Sequence, residues 1–251
     1  RARSYAAKKQ RISTRSTWEQ RCVHLGPCDE ECPCVAMSRM CGKHCHCDAQ
    51  CDNRWIGCKC ASGCRGKQCP CRAMSQECDP DMCLCSCAEA VDTAHAKPPG
   101  TGVGGNAELQ TAIRKRLFVG PSTIPAAGLG LFAGESVEKG ELIQEYKGEV
   151  ISQLEAERRG AISDTHHRTY LFALDAEHSI DAMRKGNKIR FANHKADREK
   201  PNCESRKIIV DGTAHIGVFA ARTIAAGEEL FYNYDRDTRT RDVVLKKKPK
   251  K

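Results

Sequence analysis

The stretch GEELFYNY, Gly227–Tyr234, decides how this chain is read. Only thirteen of the 251 residues are aromatic, yet Phe231, Tyr232 and Tyr234 crowd into four consecutive positions. Alternation along a strand sends Phe231 to the core, apart from the two phenols. The stretch also has an echo upstream. LGLFAGESVEKGELIQEY, from Leu129, matches IGVFAARTIAAGEELFYNY, from Ile216, once a single residue is inserted in the second copy. In that register Tyr146 falls opposite Tyr234, so two similar strand pairs each deliver a tyrosine to one domain.

Outward from there, the C-terminal half is a series of short apolar runs broken by glycine: RLFVG, LGLFA, ELIQEY, TYLFALD, KIIVDG and IGVFAAR. Such lengths suit strands better than helices. One helix is predicted over Gln153–Arg159, capped by Ser152 with Glu155 three residues on. The class is mostly β, in a domain spanning 113–236. Residues 91–112, rich in Gly, Pro and small polar side chains, read as a flexible linker. The net charge of +9 sits at the ends, with +6 over 1–21 and +5 over 237–251, which closes on KKKPK. These basic segments suit DNA contact or nuclear import, or are solvated tails. The chain opens on Arg1 and reads as part of a longer or processed polypeptide.

The other half, 22–90, has a different source of stability. Seventeen of the eighteen cysteines lie between Cys22 and Cys87; Cys203 stands alone and reads as a buried structural thiol. CPCVAMSRMC (32–41) repeats as CPCRAMSQEC (69–78), and extending that register pairs nine positions with nine. Cys22, His24, Cys28, Cys32, Cys34, Cys41, Cys45, Cys47 and Cys51 fall against Cys58, Cys60, Cys64, Cys69, Cys71, Cys78, Cys83, Cys85 and Cys87. His24 fills the slot of Cys60, and imidazole is the usual substitute for thiolate on zinc. His44 and His46 face Met82 and Leu84 and stay outside the ligand set. With three bridging thiolates, nine ligands fill the coordination of about three tetrahedral zincs per repeat, giving about six ions in two trinuclear clusters.

No secretory segment and no apolar run long enough to span a membrane is present. Dense cysteine in a reducing compartment points to metal rather than disulfides. A metallothionein-like store and a disulfide knot are the alternatives, although seventeen cysteines cannot all pair among themselves. Between Cys22 and Cys87, seven Lys/Arg stand against eight Asp/Glu. Seventeen thiolates on about six zincs add roughly five further negative charges, so any DNA contact must come from a local basic face or the segment before it.

Taken in order, GLG at Gly128–Gly130, EYKGEVIS at Glu145–Ser152, RKGNKIRFANH at Arg184–His194, PNC at Pro201–Cys203 and GEELFYNY resemble the signatures of a SET-domain lysine methyltransferase. The cysteine segment resembles the CXC domain of the Enhancer of zeste family, the catalytic subunits of Polycomb repressive complex 2. The resemblance covers about Cys22 to Asp235. It implies a SET fold with a pseudoknot, preceded by a small zinc-cluster domain with little regular secondary structure. It also implies transfer of methyl groups from S-adenosylmethionine to a histone H3 tail lysine at substrate position 27. Gene silencing in the nucleus, nucleosomes as substrate, and WD40-propeller and zinc-finger partner subunits follow from the same resemblance.

By that resemblance Gly128, Leu129 and Gly130 line the cofactor, with Asn193, His194, Thr169, Tyr170 and Tyr234 beside it. Relatives usually carry an aromatic at the place of Leu129. Tyr234 is the main catalytic tyrosine, Tyr146 bonds the amine from another side, His194 belongs to the same catalytic group, and Phe172 and Tyr232 complete the lysine channel. Tyrosine rather than phenylalanine at 232 favours monomethylation, its hydroxyl retaining a water that blocks a bulkier product. The residues themselves agree: methyl transfer to an amine needs no metal, only a neutral amine held in line in a water-poor channel, and aromatic faces tolerate methylated ammonium. Departures are the longer KADREKPNC after His194, the absence of a cysteine-rich segment after the SET motifs, and the absence of cysteine between Ala88 and Ala112. A catalytically inactive chromatin- or DNA-binding zinc scaffold is the alternative function; the intact set of Tyr146, Asn193, His194 and Tyr234 favours the enzyme.

Overall fold

The structure is a computed structural model that describes residues 21–36, 40–61, 63–64, 66, 68–93, 105–111, 114–164, 170–175 and 177–234. The expectations placed on Thr169 and on nearly all of both basic ends fall outside these residues.

The two decapeptides open alike. Each opens a single turn, α1 (Pro33–Ala36) and α2 (Pro70–Ala73), with proline in the first turn, where its missing N–H costs nothing. Ala36 N–H donates to Cys32 C=O and Ala73 N–H to Cys69 C=O, both at 2.9 Å. Little else in this half is regular apart from α3 (Ser86–Thr93). Two clusters of buried cysteines stand where an apolar core would be, one per repeat, with Trp55 packed into the second. Gly57 is needed where the second repeat starts, because its φ is +71° and a Cβ there would strike the Met82 carbonyl.

The second domain begins with β1 (Leu117–Pro121) antiparallel to β2 (Leu129–Ala133). A three-stranded sheet places β3 (Leu142–Glu145) and β8 (Cys203–Val210) on either side of β9 (Thr213–Ala220). A second orders β4 (Glu149–Ser152), β6 (His178–Asp181) and β5 (Leu171–Ala173) with β6 central. The short β7 (Asn193–His194) runs parallel to β10 (Phe231–Tyr232), so the two stretches expected to meet in a pseudoknot do lie together. Leu131, Val137, Ile143, Ile189, Ile216, Ile224 and Leu230 are completely buried between these layers.

The upstream echo is a structural symmetry. Val137 and Ile224, equivalent in the echo, exchange both backbone hydrogen bonds at 2.9 Å. Gly140 N–H donates to Ala220 C=O, and its equivalent Gly227 donates to Ala133 C=O, at 2.8 and 2.7 Å. Both glycines have positive φ, +86° and +85°, as a tight turn requires.

The predicted helix is longer than expected, α4 (Gln153–Asp164), with Ser152 Oγ accepting the Glu155 N–H at 3.3 Å. Leu154 and Ile162 are 78% and 53% exposed. Charge holds this helix down instead: Arg159 reaches Glu155 at 2.7 Å, Glu149 at 3.0 Å and the buried Asp181 at 2.8 Å. No helix among the described residues is long and apolar enough to cross a membrane.

The stretch expected as linker is not uniform. α3 runs past its expected start, and 105–111 is seated on the second repeat, where Asn106 Nδ2 donates to Gln76 C=O at 2.6 Å. The buried Glu77 carboxylate accepts the Leu109 and Gln110 N–H groups at 2.7 and 3.1 Å. A run of Gly and Pro shows low propensity but not the buried carboxylate that overrides it. The repeats also touch the second domain directly: Glu77 N–H donates to Ile209 C=O, and Ile209 N–H to Ser75 C=O, at 2.9 and 2.8 Å. Lys43 pairs with Asp79, Asp81 and Asp211. His44 Nε2 lies 2.9 Å from Asp211.

Candidate active site and metal centre

Five rings from four parts of the chain form one continuous wall. Tyr146, at the end of β3, lies 5.1 Å from Phe172 of β5, centroid to centroid. Phe172 stacks 6.3 Å from Tyr232 of β10, and Tyr232 lies 4.7 Å from Tyr234. His194 of β7 meets Tyr234 edge-on at 5.1 Å, and its Nδ1 accepts the Tyr234 backbone N–H at 3.1 Å. The parallel β7–β10 pair makes that last contact, bringing residues forty apart in sequence together. Phe231 is buried, and Lys195 Nζ caps its ring at 3.7 Å.

Both phenols of the wall's ends are committed as donors. Tyr146 Oη–H donates to Tyr170 C=O at 2.8 Å, and Tyr234 Oη–H to Ala192 C=O at 2.7 Å. Burial pushes both pKa values up, Tyr234 to about 12, because a phenolate would lose its hydration. Each hydroxyl therefore stays protonated at neutral pH and offers only oxygen lone pairs to a guest.

Beside the wall, Leu129 of the Gly128–Gly130 loop is 52% exposed. Asn193 Nδ2 reaches Leu129 C=O and Ser122 Oγ, both at 3.0 Å, and Glu229 Oε1 at 3.1 Å. The Nδ2 group of Asn193 is thus spent on the shape of the loop. Ser122, Thr123 and Glu229 were not singled out from the sequence. The signal was there: in GEEL, strand alternation turns one of two adjacent glutamates inward. Tyr170, expected beside the cofactor, packs edge-on to Phe191 at 6.3 Å, with Arg190 over its ring.

In the cysteine-rich half every described thiol is free of disulfide, and the sulfurs gather in overlapping tetrads. The first repeat forms Cys22–His24–Cys28–Cys32, Cys22–Cys34–Cys41–Cys45 and Cys22–Cys28–Cys41–Cys47. Cys22, Cys28 and Cys41 recur among them, as bridging thiolates must. The second repeat forms Cys58–Cys64–Cys69–Cys78 and Cys58–Cys71–Cys78–Cys83, sharing Cys58 and Cys78, the equivalents of Cys22 and Cys41. Sulfur separations of 3.4–3.9 Å, as in Cys22–Cys41, Cys28–Cys41 and Cys58–Cys64, fit the edges of a tetrahedron with metal–sulfur bonds of about 2.3 Å. Burial pushes the Cys34 and Cys58 thiols up to about 12; a divalent cation removes that penalty. Cys51 adjoins Cys28 and Cys47, and Cys60 adjoins Cys58, Cys64 and Cys69. Cys85 and Cys87 are buried in the second cluster.

The SET-domain family profile matches residues 128–235. Residues 128–235 are a SET domain. The resemblance read from the motifs is borne out beyond it. The chain is 43% identical to histone-lysine N-methyltransferase EZA1 of Arabidopsis thaliana, over 85% of this chain and 25% of that protein. It is 38% identical to histone-lysine N-methyltransferase EZ3 of Zea mays, over 90% of this chain and 26% of that protein. Among solved structures it resembles an active polycomb repressive complex 2 in the basal state, with a TM-score of 0.72 and 34% identity, over 85% of this chain and 30% of that one. It also resembles the complex from Chaetomium thermophilum, named there as autoinhibited and bound to S-adenosylmethionine, with a TM-score of 0.76 and 32% identity, over 89% and 30%. The chain thus spans about a quarter of the curated relatives it matches. Within the SET domain, the ring wall takes Tyr232 and Tyr234 from the last motif, His194 from the β7 stretch paired with it, Tyr146 from the end of β3 and Phe172 from β5.

Proposed function

We propose that this chain transfers a methyl group from S-adenosylmethionine to the side-chain amine of a lysine in the histone H3 tail. The observation that carries the proposal is the buried wall Tyr146–Phe172–Tyr232–Tyr234, in which both terminal hydroxyls have their protons directed to main-chain carbonyls. A neutral amine has two N–H donors and one lone pair. Acceptor oxygens at Tyr146 and Tyr234 take the N–H groups and leave the lone pair to face the methyl. When bound, S-adenosylmethionine would supply an electrophilic sulfonium methyl; its C–S bond would break as the C–N bond to the lysine forms, and the new ammonium would lose its proton to water. Gly128–Gly130, Asn193, His194 and Tyr234 hold the cofactor in this reading, and position 27 of the tail is the lysine.

Because the tyrosines remain protonated, neither acts as the base. The substrate lysine, with a pKa near 10.4 in water, must shed its proton before or on entry. The rate at subsaturating peptide is expected to climb with pH from 7 to 9, without the falling limb that Tyr234 ionisation would impose below about 12. An initial-rate profile on H3 peptide checks this; a maximum near pH 8 would contradict it. Replacing Tyr232 by Phe is expected to move the products from mono- toward di- and trimethyllysine, read by mass spectrometry of the peptide. An unchanged distribution would remove the proposed role of that hydroxyl.

The cysteine-rich half is proposed to hold about six zincs as two trinuclear clusters, a structural role. The partners are WD40-propeller and zinc-finger subunits of a Polycomb-type complex, with nucleosomes as substrate, the basic ends on DNA, and the nucleus as location. The deciding experiment measures labelled methyl transfer from S-adenosylmethionine to a panel of H3 peptides by the full-length protein with its partner subunits. Transfer confined to peptides that retain lysine 27 supports the reading. Absence of transfer by a zinc-loaded, cofactor-binding complex refutes it.

A further inference from the structure

Glu229 is a buried carboxylate of the SET domain that accepts four hydrogen bonds and that the chemistry above does not use. Its residue is 4% exposed. Oε1 accepts Ser122 Oγ–H at 2.7 Å and Asn193 Nδ2–H at 3.1 Å. Oε2 accepts the Thr123 N–H at 2.7 Å and Thr123 Oγ1–H at 2.5 Å. Ser122 Oγ in turn accepts the Ile124 N–H at 3.0 Å. The loop backbone passes directly over the carboxylate, so a Cβ added at Gly130 would strike Glu229 Oε1. From behind, Asn202 Nδ2 fixes the Glu229 carbonyl at 2.7 Å. Burial alone would raise the pKa of this group, yet the donors of Thr123, Ser122 and Asn193 hold it below the usual carboxylate range.

We propose that Glu229 is a positioning residue for the cofactor: its carboxylate clamps the 122–124 turn, the Gly128–Gly130 loop and Asn193 into the single shape that S-adenosylmethionine binds. The inference rests on the methyl-transfer reading and adds a specific division of labour. The wall of rings handles the amine, and a separate ionic hub, which touches neither reactant, sets affinity for the cofactor. Glutamine is nearly isosteric, but its amide turns donors toward donors. Losing charge-assisted hydrogen bonds of this kind corresponds to about tenfold or more in affinity.

The test uses the full-length protein with its partner subunits. Calorimetry gives Kd for S-adenosylmethionine; steady-state assays give KM for cofactor and for H3 peptide, and kcat; zinc content and Tm report folding. For Glu229→Gln the expected result is cofactor Kd and KM raised about tenfold or more, with peptide KM and kcat at saturation changed by less than about threefold. Thr123→Val removes one hydroxyl donor and leaves the backbone N–H, and should raise cofactor Kd in the same direction by a smaller factor. Unchanged cofactor Kd in either folded variant overturns the proposal, as does a fall in kcat with cofactor KM unaltered. If Glu229→Gln does not fold, Thr123→Val alone decides. A parent protein that shows no cofactor binding sinks the methyl-transfer reading and this inference with it, whereas a parent that binds and variants that bind equally well sink only the inference.

Discussion

Removing zinc from this chain with a strong chelator is expected to unfold residues 22–87 while the SET domain stays folded. The reason lies in what fills the interior of that half. Its buried clusters consist of sulfur with Trp55, Ala88 and Ala107, and no large aliphatic side chain is buried there among the described residues. Structural zinc contributes on the order of 10 kcal/mol per site, whereas burying one large side chain contributes about 2 or 3 kcal/mol. Without the ions, crowded thiols remain at 3.4–3.9 Å with no metal–sulfur bonds to hold them together. The SET domain has its own core of Leu131, Ile143, Ile216, Val218 and Leu230, and the repeats reach it through a short backbone ladder at Ile209 and a few ions around Asp211. Hydrogen exchange with and without chelator reads the result directly. Amides of Trp55, Leu84 and Ala73 should lose protection, and those of β8 and β9 should keep it away from Ile209. Retained protection in the cysteine half after complete metal release, or disulfides found by mass spectrometry, would reject a zinc-built fold.

Replacing Tyr234 by Phe is expected to lower kcat by about a hundredfold or more, the usual scale for deleting one preorganised polar group at a reacting centre, with cofactor Kd changed only a few-fold. The ring remains and keeps its contacts with Tyr232 and His194. The hydroxyl satisfies Ala192 C=O at 2.7 Å and, in the proposed mechanism, turns a lone pair toward the amine. Phenylalanine leaves that carbonyl without its donor and the amine with one acceptor instead of two. Single-turnover transfer to H3 peptide, with calorimetric cofactor binding measured in parallel, separates the two effects. Near-normal turnover would show that Tyr146 alone orients the amine and would remove Tyr234 from the mechanism.

The cysteine repeat made the first half legible. Two copies in register show which positions are equivalent, and the structure gathers shared sulfurs at equivalent places, Cys22 with Cys58 and Cys41 with Cys78. The strands were legible in the short apolar runs, whereas the grouping of Tyr146, Phe172, Tyr232 and Tyr234 came from the resemblance to SET-domain signatures. Other features were not. Alternation in GEEL turns a glutamate inward, but its partner Thr123 lies 106 residues away, and no local pattern encodes a partner at that distance. The extension of α4 past Arg159 depends on ion pairs to Glu149 and Asp181 rather than on an apolar stripe. The order of 105–111 comes from Glu77, thirty-two residues upstream of Leu109.

The parallel pair of β7 and β10 has a kinetic consequence. Its register is only two residues long, yet the segment from Gly227 to Tyr234 carries the hub carboxylate, two of the channel rings and the cap of the His194 imidazole. Peeling that one segment away would open the cofactor loop and the lysine channel in a single step, while the long β8–β9 ladder stayed paired. Such a sub-global opening costs less than global unfolding, and because it spans distant parts of the chain its re-closure is slow compared with hairpin formation.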